Sequence, residues 1–269
     1  MSGMPKVAHL FRYPIKSSKL QEVNSLDFDV YGPTGDRRWL ITTNDHSDII
    51  TQRKYPKLSS LEVEIISRNS IRLRAPEKGD FTLQQSNENP LVKTHVWKNY
   101  FQAKDAGDEI AAWLSEFLGV SVRLVGLDPG FDRPVKNHPE DQVAFADGYP
   151  ILIISKASLE DLNQKLDTPV SIKRFRPNIV IENCQAFEED EWKRIRIGDI
   201  TLKASGQCSR CIMTTVDPEK SAFDGPEPLK TLSGYRRVDK GVVFGQNYVH
   251  QTKSGKISIG DDVEILDRS

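Results

Sequence analysis

Short runs of alternating apolar and polar residues dominate the first hundred positions of the chain. Val7 to Tyr13 alternates until Pro14 stops it, Leu26 to Val30 alternates strictly, and Trp39 to Thr42 is mainly apolar. A period of two is typical of strands with one buried face, and a short apolar run between turn residues fits a fully buried strand. The same patterns predict strands at 61–66, 71–73, 81–83, 91–92 and 95–97. Many short strands at this spacing indicate a β-barrel or a sandwich.

The first helical pattern follows this β-rich region. Its apolar stripe has the spacing of one helix face and consists of Ile110, Trp113, Leu114, Phe117 and Leu118. Asp105 is the predicted N-cap and Gly119 the predicted C-cap. A strand at 122–125 comes next, and the stretch at 128–141, rich in proline, glycine and charge, predicts a long loop or domain junction.

The second half again predicts strands, with one short helix. Ile151 to Ile154 has the pattern of a buried strand, and Ser158 to Asp161 resembles a capping box that opens a helix. Further strands are predicted at 179–181, 195–197 and 200–202. The segment 258–266 repeats the local pattern around the Gly198-Asp199 turn, which predicts two similar hairpins that close a barrel. The fold class is therefore mostly β to α+β, with few helices.

Composition excludes several classes of protein. The 269 residues are 38% hydrophobic and 28% charged, with a formal net charge of -1, so nothing indicates nucleic-acid binding. No apolar stretch is long enough to span a membrane, and the N-terminus lacks the apolar run of a secretory signal. Three cysteines are an odd count, which speaks against a disulfide framework and favours a cytoplasmic location.

The segment Gln207 to Val216 is the most informative part of the chain, because Cys208 and Cys211 flank Arg210 in it. Two buried structural thiols are one interpretation. A zinc site lacks a second cysteine pair, and the strand predicted at 212–216 argues against a thioredoxin-like dithiol, which sits at a helix N-terminus. A single reactive thiolate is the remaining hypothesis, tuned by Arg210 and also by Cys208.

Basic and polar clusters at strand ends suggest an anionic ligand. Lys16-Ser17 follows the first strand, Arg37 precedes a buried tryptophan, and Arg176 and Asn178 flank a proline. Lysine, arginine and hydroxyl donors suit a phosphate. Local evidence alone favours a solvated basic turn at Lys16-Ser17, and a structural pair with Asp36 or an ordinary loop position is the alternative for Arg37 and Arg176. Separated arginine sites together with a thiol suggest a single anionic ligand that a sulfur atom can also bind.

Six motifs in this order resemble the two-part MOSC family, in particular the mitochondrial amidoxime-reducing components and their bacterial relatives. The motifs begin at Tyr13, Asp36, Thr51, Phe175, Cys208 and Phe244, and the resemblance covers about residues 5–267. It implies an N-terminal MOSC β-barrel domain at about 1–127 and a MOSC domain at about 128–269, with closing strands that the two domains can share.

The resemblance also implies a molybdenum cofactor whose metal is ligated by Cys211, the predicted catalytic residue. Family positions that hold the phosphate and pterin correspond to Lys16, Ser17, Arg37, Arg176, Asn178, Ser209, Arg210 and Asn247. Asn247 replaces a tyrosine of some relatives. The segment around Asp147 matches a pocket-lining stretch only loosely.

The implied reaction is the two-electron reduction of a small N-hydroxylated compound, with oxygen leaving as water. Some bacterial relatives carry a [2Fe–2S] domain, but three cysteines cannot supply its four thiolates. Electrons are therefore expected from a separate protein of [2Fe–2S], flavin or haem type.

Two other hypotheses use the same cysteine. One is a sulfur carrier or sulfurtransferase with a persulfide on Cys211, and the other is a module that binds the molybdenum cofactor without catalysis. Broad descriptions of the family add pyridoxal phosphate binding. That chemistry usually needs a lysine Schiff base in an aminotransferase-like domain, which the sequence does not indicate.

Overall fold

A computed structural model describes residues 3–239 and 241–268. Met1 and Ser2 of the N-terminal segment and Ser269 of the predicted second domain lie outside the described residues. The predicted β-rich fold class is confirmed. The described strands are β1 Lys6–Arg12, β2 Gln21–Val23, β3 Ser25–Asp29, β4 Gly32–Pro33, β5 Trp39–Thr43, β6 Glu62–Ser67, β7 Ser70–Arg74, β8 Phe81–Gln84, β9 Leu91–Val96, β10 Asn99–Asp105, β11 Val122–Gly126, β12 Pro134–Val135, β13 His138–Gln142, β14 Ile151–Ser155, β15 Ile179–Glu182, β16 Trp192–Ile197, β17 Ile200–Ser209, β18 Val216–Asp217, β19 Ala222–Phe223, β20 Arg237–Val238, β21 Gly241–His250, β22 Gly255–Ser258 and β23 Val263–Arg268.

Helices are few in the described part of the chain. The α-helices are α1 Asp108–Leu118, α2 Lys156–Asn163 and α3 Leu229–Tyr235, and the 3₁₀ helices are Pro56–Ser60, Ile172–Phe175, Glu188–Asp190 and Ile212–Thr215. Within the described residues, no helix is both long and apolar enough to cross a membrane.

The largest sheet joins the start of the chain to its second half. Its order is β2-β1-β15-β14-β21-β17-β16-β23, with β20 paired to β21. The neighbours β14 and β15 are parallel, whereas β1 and β15 are antiparallel. Apolar side chains of these strands form one buried cluster that includes Leu10, Ile153, Ile195 and Tyr248. In this sheet β15, β14 and β21 lie between β1 and β17, the strand that carries Cys208.

A second core lies between α1 and the N-terminal sheets. One sheet has the order β5-β11-β10-β9, and the other has the order β6-β7-β8. Ile110, Leu114 and Phe117 of the predicted stripe are buried in this core. The predicted boundary between residues 127 and 128 stays a prediction.

The ends of the helices differ partly from the sequence predictions. Gly119 ends α1 in the left-handed region, as predicted, but Gly107 rather than Asp105 is the N-cap. Asp105 instead accepts a hydrogen bond from the Gly107 amide. The capping box predicted at Ser158 is also wrong, because Ser155 caps α2 and accepts from the Ser158 amide at 3.0 Å.

Three long-range features differ from prediction as well. The loop at 128–141 contains the hairpin β12–β13. Segment 258–266 does not repeat the β16–β17 hairpin, since β22 pairs with β3 and β23 pairs with β16. The strand predicted at 212–216 is wrong: it is mostly the 3₁₀ helix Ile212–Thr215, with Cys211 as its N-cap residue.

Candidate functional site

A cavity of about 820 Å³ lies where the loop after β1, the segment 146–149, the end of β17 and the middle of β21 meet. All of the residues predicted to bind the cofactor or metal line it: Lys16, Ser17, Arg37, Arg176, Asn178, Ser209, Arg210, Cys211 and Asn247. Their common position is a finding, and their individual roles stay predictions.

Three of these side chains are placed by an unusual backbone. Ser17, Arg37 and Arg176 have φ angles of 70°, 46° and 57°. Residues other than glycine rarely adopt this left-handed region, and such strain concentrates at functional sites. Each lies in a turn that follows a strand or a 3₁₀ helix, so the turn directs the side chain into the cavity.

Cys211 is contacted by an arginine that is distant in sequence. Arg53 Nε donates to the Cys211 Sγ at 3.4 Å, and Arg53 Nη2 donates to Asp147 at 3.1 Å. Burial works against the charge of Arg53, but Asp147 and Cys211 outweigh it and raise the pKa of the guanidinium. The cavity therefore holds a cation directly on the sulfur.

The prediction that Arg210 tunes Cys211 is wrong. Arg210 Nη1 donates to the Sγ of Cys208 at 3.0 Å, and its Nη2 donates to the carbonyl of Phe175 at 2.6 Å. Side chains two apart in an extended chain share a face, whereas adjacent ones do not. β17 runs to Ser209 and Cys211 is extended, so Arg210 lies with Cys208.

Lys16 is buried and lines the same cavity. Its Nζ donates to the carbonyl of Phe145 at 3.0 Å and forms an ion pair with Asp147. Burial lowers the pKa of Lys16 to about 8, although Asp147 partly offsets it. An anionic ligand would favour the charged form of this amine.

Two guanidinium groups flank one buried ring. The Cζ atoms of Arg37 and Arg176 lie 4.2 and 4.1 Å from the ring centroid of Tyr13. Arg37 also donates to Asp36 at 2.6 Å, so the predicted ion pair exists alongside the cavity position. Burial lowers the pKa of Arg176 to about 10. This arrangement concentrates positive charge beside the cavity.

Asn178 is engaged mainly with the protein itself. Its Oδ1 accepts from Arg37 and from the amide of Leu152, and its Nδ2 donates to the carbonyl of Phe11. The side chain thus braces Arg37 between β1 and β14.

Sequence reasoning undervalued several cavity residues. Asp147 joins Lys16 to Arg53, yet its segment matched the family only loosely. Arg53 belongs to the motif that begins at Thr51, but local sequence does not predict that its guanidinium reaches Cys211. Gln246 lines the cavity beside Asn247 and has a buried Oε1 without a partner in the structure.

Gly245 serves the sheet rather than a ligand. Its φ is +80°, and a Cβ there would lie 2.9 Å from the carbonyl oxygen of Ile153 and 2.6 Å from Ile154 Cγ1. The glycine therefore permits close packing of β21 on β14, next to the residues that line the cavity.

Comparisons with known proteins agree with this architecture. Residues 4–121 match the MOSC N-terminal beta barrel domain, and residues 140–264 match the MOSC domain. The Mus musculus mitochondrial amidoxime-reducing component 1 is 37% identical over 97% of this chain and 82% of its own length. The Homo sapiens protein of the same name is 36% identical over 97% of this chain and 82% of its own length.

Among solved structures, the YUAD protein of Bacillus subtilis is similar with a TM-score of 0.45 and 14% identity, over 97% of this chain and 95% of that chain. The sequence matches span both halves and nearly the whole chain. The chain therefore belongs to the family of MOSC-domain proteins with an N-terminal MOSC β-barrel domain, and it is similar to the mitochondrial amidoxime-reducing components.

Proposed function

We propose that this protein is a molybdenum-cofactor-dependent reductase of N-hydroxylated compounds that receives electrons from a separate protein. The observation that carries the proposal is that one cavity is lined by Cys211, whose sulfur Arg53 contacts, and by the cationic side chains of Lys16, Arg37 and Arg176. The names of the amidoxime-reducing relatives support the same reaction class.

The donor set fits such a cofactor. Arg176 Nη2, Arg210 Nε and Gln246 Oε1 are buried without a hydrogen-bond partner in the structure. Leaving a buried polar group unpaired costs about 1–3 kcal/mol, so atoms of this kind indicate a ligand. Arginine, lysine and hydroxyl donors suit a phosphate, and a thiolate suits a soft metal.

Each residue has a proposed task toward the bound group. Cys211 would ligate molybdenum, and Lys16, Ser17 and Arg37 would hold the phosphate. The pterin would lie among Arg176, Asn178, Ser209, Arg210 and Asn247. When bound, the cofactor supplies the two-electron redox chemistry.

The chain's own residues supply orientation and charge. Arg53 fixes the sulfur of Cys211, and Asp147 fixes Arg53 in turn. Asn178 holds the Arg37 guanidinium at its place, so the phosphate donors are ordered before the ligand arrives. A small substrate would enter by the same cavity, beside Cys211 and Asp147.

Electron supply and location belong to the proposal. Cys208 and Cys211 line the cavity, and burial raises the pKa of Cys184, the remaining cysteine, to about 12. These three cysteines are too few for the four thiolates of a [2Fe–2S] cluster, which supports an external donor of [2Fe–2S], flavin or haem type. The cytoplasmic location stays a prediction, and the relatives' names place those proteins in mitochondria.

Metal and pterin analysis tests the proposal. Wild-type protein from a cofactor-producing host should contain stoichiometric molybdenum and pterin and reduce an amidoxime with a chemical electron donor. Cys211→Ala should lose the activity and most of the molybdenum, whereas the matched control Cys184→Ala should retain both.

Two outcomes would contradict the proposal. A persulfide on Cys211 without molybdenum, seen by mass spectrometry, would favour the sulfur-carrier hypothesis. Bound cofactor without reduction of any N-hydroxylated compound would favour a non-catalytic binding module. The proposal makes no use of pyridoxal phosphate, whose binding stays a prediction.

A further inference from the structure

The hairpin β9–β10 ends in an exposed tryptophan with a strained backbone. Val96 pairs with Asn99, so Trp97 and Lys98 form a two-residue turn. Trp97 has a φ of 58°, and the residue is 52% exposed. Positive φ in such turns strongly favours glycine, asparagine or aspartate, and a bulky residue there is a genuine outlier. A tryptophan at a position with this backbone strain suggests that its indole has a specific role.

His95 connects this turn to the loop that contains Ser47. The two ring nitrogens of His95 lie 2.8 Å from the carbonyl oxygen of Trp97 and 3.0 Å from that of Ser47. The ring of Tyr100 packs on His95 at a centroid distance of 5.2 Å. The hairpin tip is therefore fixed to the neighbouring loop before the indole makes any contact.

From this tip the indole reaches the wall of the cavity. Trp97 Nε1 donates to Asp147 Oδ1 at 3.2 Å, and the Cζ of Arg53 lies 4.9 Å from the ring centroid. Asp147 also accepts from Arg53 Nη2 at 3.1 Å. The Arg53 guanidinium is thus held by a ring, a carboxylate and the Cys211 sulfur.

We propose that Trp97 is a positioning residue that holds Arg53 on the Cys211 sulfur. It acts in two ways, by stacking on the guanidinium and by orienting the carboxylate that pairs with it. The N-terminal half of the chain thereby controls the immediate environment of a thiol carried by the C-terminal half.

The consequence rests on the proposed function. A hydrogen bond to a metal-ligating sulfur withdraws charge from it and favours the more reduced state of the metal. The clamp of Trp97, Arg53 and Asp147 would therefore raise the reduction potential of molybdenum bound at Cys211. Loss of the indole would lower that potential without removing a ligand.

The clamp is first tested in cofactor-free protein. NMR follows the exchange of the Arg53 Nε proton with solvent, and Arg53→Lys assigns the signal. Trp97→Ala should speed the exchange roughly fivefold, because the guanidinium loses its stacking partner. Trp97→Phe keeps an aromatic ring, so its exchange rate should lie between those of wild type and Trp97→Ala. It also serves as the conservative variant if Trp97→Ala folds poorly.

A matched control is available on α1. Trp113 also stacks with a cation, since Lys78 Nζ lies 5.4 Å from its ring centroid, and its Nε1 donates to the carbonyl of Gly79. Trp113→Phe should leave the Arg53 proton unchanged. Equal exchange in wild type, Trp97→Phe and Trp97→Ala would overturn the proposal.

The second test uses loaded protein and an EPR-monitored redox titration of molybdenum. Trp97→Ala should have a lower midpoint potential than wild type, and Trp113→Phe should match wild type. An unchanged potential in Trp97→Ala would overturn the redox part of the proposal. If neither wild type nor any variant contains molybdenum, the proposed function fails. The exchange of the Arg53 Nε proton in cofactor-free protein then still tests whether Trp97 positions Arg53.

Discussion

The buried amine of Lys16 makes the stability of the cofactor-free protein depend on pH. Only 7% of its side chain is exposed, and burial lowers its pKa from 10.5 to about 8. Because the unfolded chain regains the ordinary value, it binds more protons than the folded state between these pH values. The free energy of unfolding should therefore rise with pH through this window.

The size of the effect follows from the two pKa values of Lys16. Their difference corresponds to about 3 kcal/mol, of which about 2 kcal/mol is regained between about pH 7 and about pH 9.5. Lys16→Met removes the titrating group, so wild type should gain about 2 kcal/mol relative to this variant over the same interval.

Urea unfolding of cofactor-free protein measures this difference. Lys19→Met provides the control, because it removes a neighbouring lysine whose side chain is 43% exposed. Saturating inorganic phosphate should flatten the rise in wild type, since an anion at Lys16 restores the charged amine. If wild type and Lys16→Met show parallel curves from neutral to alkaline pH, burial does not penalise this charge and the reasoning is wrong.

Two further substitutions test the packing around the site. Gly245→Ala should lower the free energy of unfolding by about 3 kcal/mol, since it adds a clash with β14 to the cost of a positive φ. Gly119→Ala, at a left-handed φ of 70° with open space around it, should cost about 1 kcal/mol, and equal losses in thermal unfolding would refute the clash. Ser155→Ala should lower the free energy of urea unfolding by about 1–2 kcal/mol through loss of the α2 cap; no change would show that the cap is dispensable.

Local pattern was sufficient for most elements. The apolar run 151–154 is short, as buried strands are, and the α1 stripe has the helical period; both elements appear in the structure. Local sequence does not distinguish Ser155 from Ser158 as the N-cap of α2, which is why the predicted capping residue differs from the observed one. Contacts from the distant Glu189 to the amide of Ser155 and the hydroxyl of Ser158 complete the buried network around the cap.

The candidate site was predictable as a set of residues but not as a set of contacts. Matching motifs identified Lys16, Arg37 and Cys211, which lie together. Which guanidinium reaches which sulfur depends on strand faces and on long-range packing. Adjacency in sequence therefore pointed to Arg210, while the cation on Cys211 comes from Arg53, 158 positions away.

The pairing of β1 with β15 has a consequence for biosynthesis. Lys6 lies opposite Glu182, and β3 lies opposite β22, so these N-terminal strands must wait for partners that are made more than 150 residues later. Contacts of such long sequence separation slow folding. On the ribosome, the emerging N-terminal segment would leave its strand edges open until β22 has left the exit tunnel. Insertion of any ligand into the cavity would accordingly have to wait until β17, β21 and β22 have been made and have joined the strands of the N-terminal segment.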